Sequence, residues 1–179
     1  MNNPAFFTEN QKGFNPHEKL SFEQSAQIII SHVTDGIKIA EKAMIPNNII
    51  NFVKTHHGKG ITKYFYNSFI NAFPEKPVNE EIFTYPGPNP FSKETALLMM
   101  ADSVEAASRS LKEYTDESIK MLVDKIIDSQ IADGLMKDAP LTFKDIETIK
   151  DIFQNRLKTM YHTRISYPEI TSADNPKQI

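Results

Sequence analysis

The stretch SKETALLMMADSVEAASRSL, Ser92 to Leu111, decides how this chain is read. It holds neither Pro nor Gly, and Ala96 to Ala101 form an unbroken apolar run. A helix that is apolar nearly all round is buried on most sides. Into this helix the sequence sets Asp102, Glu105 and Arg109 at i, i+3 and i+7, which share one face. Ser92 suits the N-cap, with polar residues in the first turn. A carboxylate on a buried helix is costly unless it is paired or holds a metal. The reading of the remaining chain therefore turns on what meets Asp102.

Upstream of that helix, Ser21 to about Met44 reads as a long amphipathic helix. Ser21 with Gln24 forms a capping box, and Ile29, Val33, Ile37 and Ala40 form one stripe. His32 lies beside the stripe. Gly36 costs a helix about 1 kcal/mol relative to Ala, and such a Gly lets another element come close. A second helix runs from Pro46 to His57 and ends in His56-His57-Gly58, with Gly58 placed as a left-handed terminator. Ile61 to Phe73 reads as a third helix. Pro74 to Pro90 reads as irregular, with Tyr85-Pro86-Gly87-Pro88 in turn or extended backbone. Residues 1–20 read as a loop, interrupted by Pro4, Gly13 and Pro16. Its aromatic residues make it look like an internal connection that follows some upstream element.

Downstream, Thr115 caps a helix whose Ile119, Leu122, Val123, Ile126, Ile127 and Ile131 keep the helical period, up to Gly134. Pro140 and Thr142 introduce the last helix, with Phe143, Ile146, Ile149, Phe153, Leu157 and Met160 as its stripe. Tyr167-Pro168 ends it. The class is all-α, in one domain over residues 1–168, with a polar, disordered tail over 169–179.

The chain has 179 residues, 40% of them hydrophobic, enough to bury a core. A net charge of −3 with no basic cluster argues against a nucleic-acid polymer as partner. No Cys is present, so disulfides and thiolate metal sites are excluded. No apolar run reaches the ~18 residues of a membrane span, and no signal-peptide pattern opens the chain.

Chemistry narrows to a few side chains. There are five His: His17, His32, His56, His57 and His162. His32 stands among Ile residues, His56 and His57 sit together at a helix end, and Asp102 offers a carboxylate from the central helix. Imidazoles with a carboxylate suit Fe, Mn, Co, Ni or Zn rather than Ca. An equally weighted alternative is a core His32, a surface pair His56/His57 and an Asp102–Arg109 contact. Arg109 reads either as a phosphate clamp, since guanidinium binds phosphate in bidentate fashion, or as a surface cation paired with Glu105 or Glu113 for about 0.3–0.5 kcal/mol. The Tyr85–Pro88 turn is a rigid connector or the lip of a cleft. His162 and Arg164 read as cations at a helix C-terminus, and His17 as a residue that orders the N-terminal loop or reaches the site.

Several segments together, in order and spacing, resemble a known family. They are Pro4 to Gln11 (PAFFTENQ), Asn15-Pro16-His17, Ser31 to Gly36 (SHVTDG), His56-His57-Gly58, Tyr85 to Pro88, Ala101 to Ser110 (ADSVEAASRS), and His162-Thr163-Arg164 to Tyr167-Pro168. The chain resembles the C-terminal part of the HD hydrolase domain of the seven-transmembrane HD family, the membrane-anchored bacterial cyclic di-AMP phosphodiesterases. That resemblance implies an all-α HD bundle without its N-terminal helices. It implies a two-metal centre, usually iron or manganese, that cleaves cyclic di-AMP to pApA. It assigns His32, His56 and His57 to one metal and Asp102 to the other; Arg109 and Tyr85, which lie in matching segments, remain the candidate substrate-binding residues.

In the family, a further His and a His-Asp pair lie upstream of the segment matching Pro4–Gln11. Without them this chain is expected to hold one metal or none and to be inactive or weak alone. Uncovered apolar faces on the Ser21–Met44 and Ser92–Leu111 helices imply a homo-oligomer. The resemblance places the domain in the cytoplasm, attached to a membrane-anchored parent. Two alternatives stand beside it: a non-catalytic metal- or nucleotide-binding helical module, and an HD phosphohydrolase acting on another nucleotide.

Overall fold

The structure, a computed structural model, describes residues 16–162. These comprise six α-helices: α1 (Phe22–Lys42), α2 (Asn47–Thr55), α3 (Lys63–Ala72), α4 (Lys93–Ser108), α5 (Asp116–Ala132) and α6 (Phe143–His162). Among the described residues there is no strand, and the chain is all-α as its periodicity requires. The tail over 169–179 and the loop residues before Pro16 lie outside the described residues.

Local chemistry sets the helix starts. Ser21, Ser92 and Thr115 each accept from a backbone N–H one turn on, and the residue there bonds back to complete a capping box. Each box satisfies two otherwise orphaned N–H groups. Pro46 is the N-cap of α2 rather than its first helical residue. The stop after α2 is Gly58 at φ +53, where a Cβ would meet Asn89 Oδ1 at 2.8 Å. That same Oδ1 accepts from the Lys59 N–H at 2.8 Å, which pins the turn that follows His56 and His57.

Three apolar clusters hold the helices, the smallest joining Ile30 and Val33 of α1 to Tyr85; the other two are larger. In one, α4, α5 and α6 bury Ala96, Met99, Met100 and Val104 against Ile119, Val123, Ile127, Ile146 and Leu157. Each Met, Val, Ile or Leu side chain fully buried there contributes about 1.5–3 kcal/mol. In the other, α1 and α3 close over Phe83, with Ala26 and Phe69 buried beside it. Helix α1 packs on both α2 and α3, and α2 meets α4, so the second helix joins the two halves. Gly36 permits part of this, because a Cβ there would stand 3.2 Å from Val53 Cγ1 of α2.

The segment 74–90 is more ordered than its Pro content predicts. Glu80–Phe83 forms a 3-10 helix capped by Asn79, and Ile61 and Thr84 form an isolated antiparallel bridge. The helical stripes also overreach at their ends. Phe143 is 93% exposed, because it is the first residue of α6 and extends past the core. Met160 and Ile131 are likewise exposed near the ends of their helices, as are Leu97 and Leu98 on α4. The central helix is thus covered along the Ala96–Met100–Val104 side and open on another.

A candidate metal centre of three histidines

The site forms where the middle of α1 faces the end of α2. His32 sits on α1; His56 is the C-cap of α2, and His57 follows it. Spacing alone does not bring these elements together; the α1–α2 turn and the close approach at Gly36 do. One ligand atom from each of the three imidazoles lies within 4.8 Å of the others. Among the described residues no other group of three or more His, Asp or Glu is so placed.

Hydrogen bonds fix the tautomers of two rings. Nδ1 of His32 faces the Ile29 carbonyl and Nδ1 of His56 faces the Val53 carbonyl, the latter at 2.8 Å. A carbonyl only accepts, so each Nδ1 must carry the proton. Each Nε2 is then a bare lone pair, and the two stand 3.0 Å apart. Two lone pairs at that distance repel unless a proton or a cation lies between them. Metal–imidazole bonds of about 2.0–2.1 Å place neighbouring ligands on one ion roughly 3 Å apart. Donation of the other ring nitrogen to a carbonyl is also the usual support of a metal-bound His. The donor set therefore fits a divalent transition metal.

His57 completes the trio under different constraints. Burial, then the neighbouring His56 and His32, push its pKa down to about 3, so it is a neutral donor at physiological pH. Its ring stacks on Tyr85, with centroids 4.3 Å apart and planes at 27°. Tyr85 is placed by the bridge: Thr62 N–H donates to Phe83 O at 2.8 Å and Tyr85 N–H to Gly60 O at 2.9 Å. Burial, and then the charge of Asp102, raise the Tyr85 phenol above its ordinary range, so it stays protonated.

Asp102 reaches the cluster from α4. Its Oδ2 lies 3.9 Å from His57 Nδ1, and its side chain is 44% exposed. That distance is too long for a hydrogen bond and suits two groups that share a third species. Partial burial raises its pKa, against the opposing pull of His56 and His32. Arg109 shares this face, and its charge also pulls Asp102 down. Its guanidinium forms a two-point contact with Glu105, at 3.0 and 2.9 Å. The fork that would take a phosphate is engaged by that carboxylate. His17 packs its ring on Phe65 of α3 and does not join the trio. The His162 side chain and Arg164 lie outside the described residues.

Two residues beside the site escaped the sequence reading. Gln130 occupies the buried stripe of α5 after Ile119, Val123 and Ile127, and donates to Ser103 Oγ at 2.8 Å. A polar residue on an otherwise apolar stripe was the available signal.

The HD domain family profile matches residues 9–107. The chain is 42% identical over 169 residues to the cyclic-di-AMP phosphodiesterase PgpH of Bacillus subtilis, covering 94% of this chain and 24% of that protein. It is 40% identical over 167 residues to the Listeria monocytogenes protein of the same name, covering 93% and 23%. The chain thus spans about a quarter of the length of these relatives. The crystal structure of the L. monocytogenes phosphodiesterase PgpH HD domain in complex with cyclic-di-AMP superposes with a TM-score of 0.84 at 40% identity, covering 92% of this chain and 75% of that one.

Proposed function

The chain belongs to the HD domain family, and from that premise we propose that it is the C-terminal part of a metal-dependent phosphodiesterase domain that hydrolyses cyclic di-AMP to pApA. The observation that carries this reading is the pair of Nε2 lone pairs of His32 and His56 at 3.0 Å, with both Nδ1 atoms committed to carbonyls. HD domains are metal-dependent, and iron or manganese fits imidazole with carboxylate. His32, His56 and His57 hold one ion, and Asp102 serves a second position beside it. A bound ion supplies Lewis-acid polarisation of a phosphodiester. The protein's own part is to keep His57 neutral, to hold the His32 and His56 rings by their Nδ1 protons, and to seat Asp102 across the gap. Tyr85 packs the His57 ring and borders the substrate. Arg109 offers its charge to a phosphate once the substrate displaces Glu105.

Four donors are too few for a two-ion site. Turnover by the polypeptide of residues 1–179 is therefore weak, and addition of a segment carrying a further His and a His-Asp pair raises it. The relatives' greater length leaves room for such a segment and for a membrane anchor, with this domain on the cytoplasmic side. Copies associate through apolar surface left open on α1 and α4.

The test is hydrolysis of cyclic di-AMP by the purified chain with Mn²⁺ or Fe²⁺, resolved by chromatography, with and without the supplementary segment. Appearance of pApA on supplementation supports the reading. No product under either condition, with another nucleotide cleaved instead, replaces the substrate. Metal uptake with no cleavage of any nucleotide leaves the second reading, a non-catalytic metal- and nucleotide-binding module. The partial donor set favours that alternative.

A further inference from the structure

His32 and His56 each have a carbonyl behind the ring, and His57 does not. Among the described residues the His57 ring makes no hydrogen bond. Its Nδ1 stands 3.9 Å from Asp102 Oδ2, beyond donor–acceptor reach. A metal-bound imidazole is ordinarily steered by a hydrogen bond from its second nitrogen. Two of the three rings carry that support and the third lacks it.

His57 has the face of Tyr85 instead. The two rings lie 4.3 Å apart at 27°. The other rings against His57 are His56 and His32, at 4.1 and 5.0 Å between centroids. Tyr85 is thus the one described ring outside the trio that touches it. Tyr85 also meets His32 edge-on, at 6.1 Å and 79°. It is 8% exposed and packs with Ile30 and Val33 of α1, the helix that carries His32. Its backbone is held as firmly as its ring. The loop that leaves His57 is tied to the Tyr85 segment at three points. Lys59 N–H donates to Asn89 Oδ1 at 2.8 Å, Tyr85 N–H to Gly60 O at 2.9 Å and Thr62 N–H to Phe83 O at 2.8 Å. A buried ring on a backbone fixed to both sides is a rigid surface, and close, nearly parallel rings attract each other beyond their area burial.

We propose that Tyr85 is the positioning residue of His57: its face holds the imidazole in the orientation that joins the trio, in place of a hydrogen bond. The proposal rests on the metal reading above and adds what aims the third ligand. The ring face acts, not the hydroxyl. A flat surface restricts the tilt of the imidazole and bonds to neither nitrogen, so the His57 tautomer follows the ion. An aliphatic side chain of similar bulk fills the space without setting the plane.

The test is Co²⁺ binding to the purified chain, followed by visible absorption, which reports ligand geometry as well as affinity. Tyr85→Phe keeps the face and should bind Co²⁺ within about twofold of the parent, with the same absorption band. Tyr85→Leu should bind about tenfold more weakly, the low end for loss of a ligand's support, with a shifted band. In a His57→Ala background, Tyr85→Leu should weaken Co²⁺ no further, because its effect passes through His57. A tenfold loss in Y85F, an unchanged affinity and band in a folded Y85L chain, or the same loss from Y85L with and without His57 would each overturn the proposal. If Y85L does not fold, magnetic resonance of the parent decides. The His57 ring protons should keep their Overhauser contacts to the Tyr85 ring when Zn²⁺ is added, and loss of those contacts overturns the proposal. Absence of Co²⁺ binding by the parent defeats the metal reading and this proposal with it. Tyr85-dependent Co²⁺ binding in a chain that cleaves no cyclic dinucleotide upholds the proposal and defeats the phosphodiesterase reading alone.

Discussion

His32 and His56 carry an electrostatic conflict that a bound cation would relieve. Each ring is locked by a carbonyl three residues back, and neither can turn its proton toward the other. A metal that binds only the folded chain stabilises it by about 2.7 kcal/mol at a hundredfold excess over Kd. For a chain of this size 1 kcal/mol moves Tm by about 2–4 °C. Chelation is therefore expected to lower Tm by roughly 5–11 °C under such loading. His56→Ala should lose most bound metal in elemental analysis, and its Tm should barely respond to chelator. An unchanged metal content in H56A would exclude the imidazole trio as the ligand set. Gly58 works at the same scale by backbone alone. Gly58→Ala places a Cβ at φ +53 and 2.8 Å from Asn89 Oδ1. It should cost at least about 1–2 kcal/mol and weaken metal retention, because the turn positions His57. These residues were partly legible in the sequence: the types suited a metal, but His32 and His56 lie 24 positions apart. Only the packing of α1 on α2 makes them neighbours. Gln130 was hidden because its meaning depends on Ser103 across a helix interface.

The helices announced themselves through their caps. Ser21, Ser92 and Thr115 are read correctly because a capping box is a local device that needs no tertiary partner. Ser92→Ala removes the acceptor for the Thr95 N–H and should cost about 1 kcal/mol in denaturant unfolding. The Ile61–Thr84 bridge and the 3-10 turn before Tyr85 were not legible, because they exist only once Phe83 is buried against α3. Helix α6 is tied at its start by Asp145, which accepts from Thr142 N–H, Thr142 Oγ1–H and Lys93 Nζ, each at 2.8 Å. The Lys93 hydrogen bond first, and the Thr142 bonds second, hold this carboxyl below the usual aspartate range. A depressed carboxyl pKa means that the folded chain releases the proton more readily than the unfolded one. Its contribution is complete above the ordinary value of 3.8 and is lost as pH falls below it. Thermal melts should show an acid decline in the parent chain below about pH 4. Asp145→Asn should start with a lower Tm at pH 7 and decline less steeply. Parallel acid limbs for the two proteins would rule out this tie between α4 and α6.

At the scale of the molecule, two larger clusters are joined through α2 and α4, with the histidines beside the small third cluster of Ile30, Val33 and Tyr85. Apolar residues that found no cover concentrate around the α1–α2 turn. Ile39 is 57% exposed and Met44 89%, with Ile45 and Ile49 also open. Met44 also takes φ 54, a left-handed conformation that a Met side chain disfavours. Leu97 and Leu98 add exposed surface on α4. Surface of this kind drives association when it is contiguous, and the turn places four of these residues within eleven positions of sequence. Light scattering of the parent chain should therefore show a dimer or larger species. Met44→Asn puts a residue that tolerates the left-handed region at that turn, and Ile39→Glu adds charge to the face. The double variant should run as a monomer with a Tm no lower than the parent's, since neither side chain is buried in the fold. The histidines are untouched, so its metal content should match the parent's in elemental analysis. A parent chain that is monomeric at high concentration would show that these exposed side chains do not bring copies together. A double variant that stays associated would move the contact to Leu97 and Leu98 on α4.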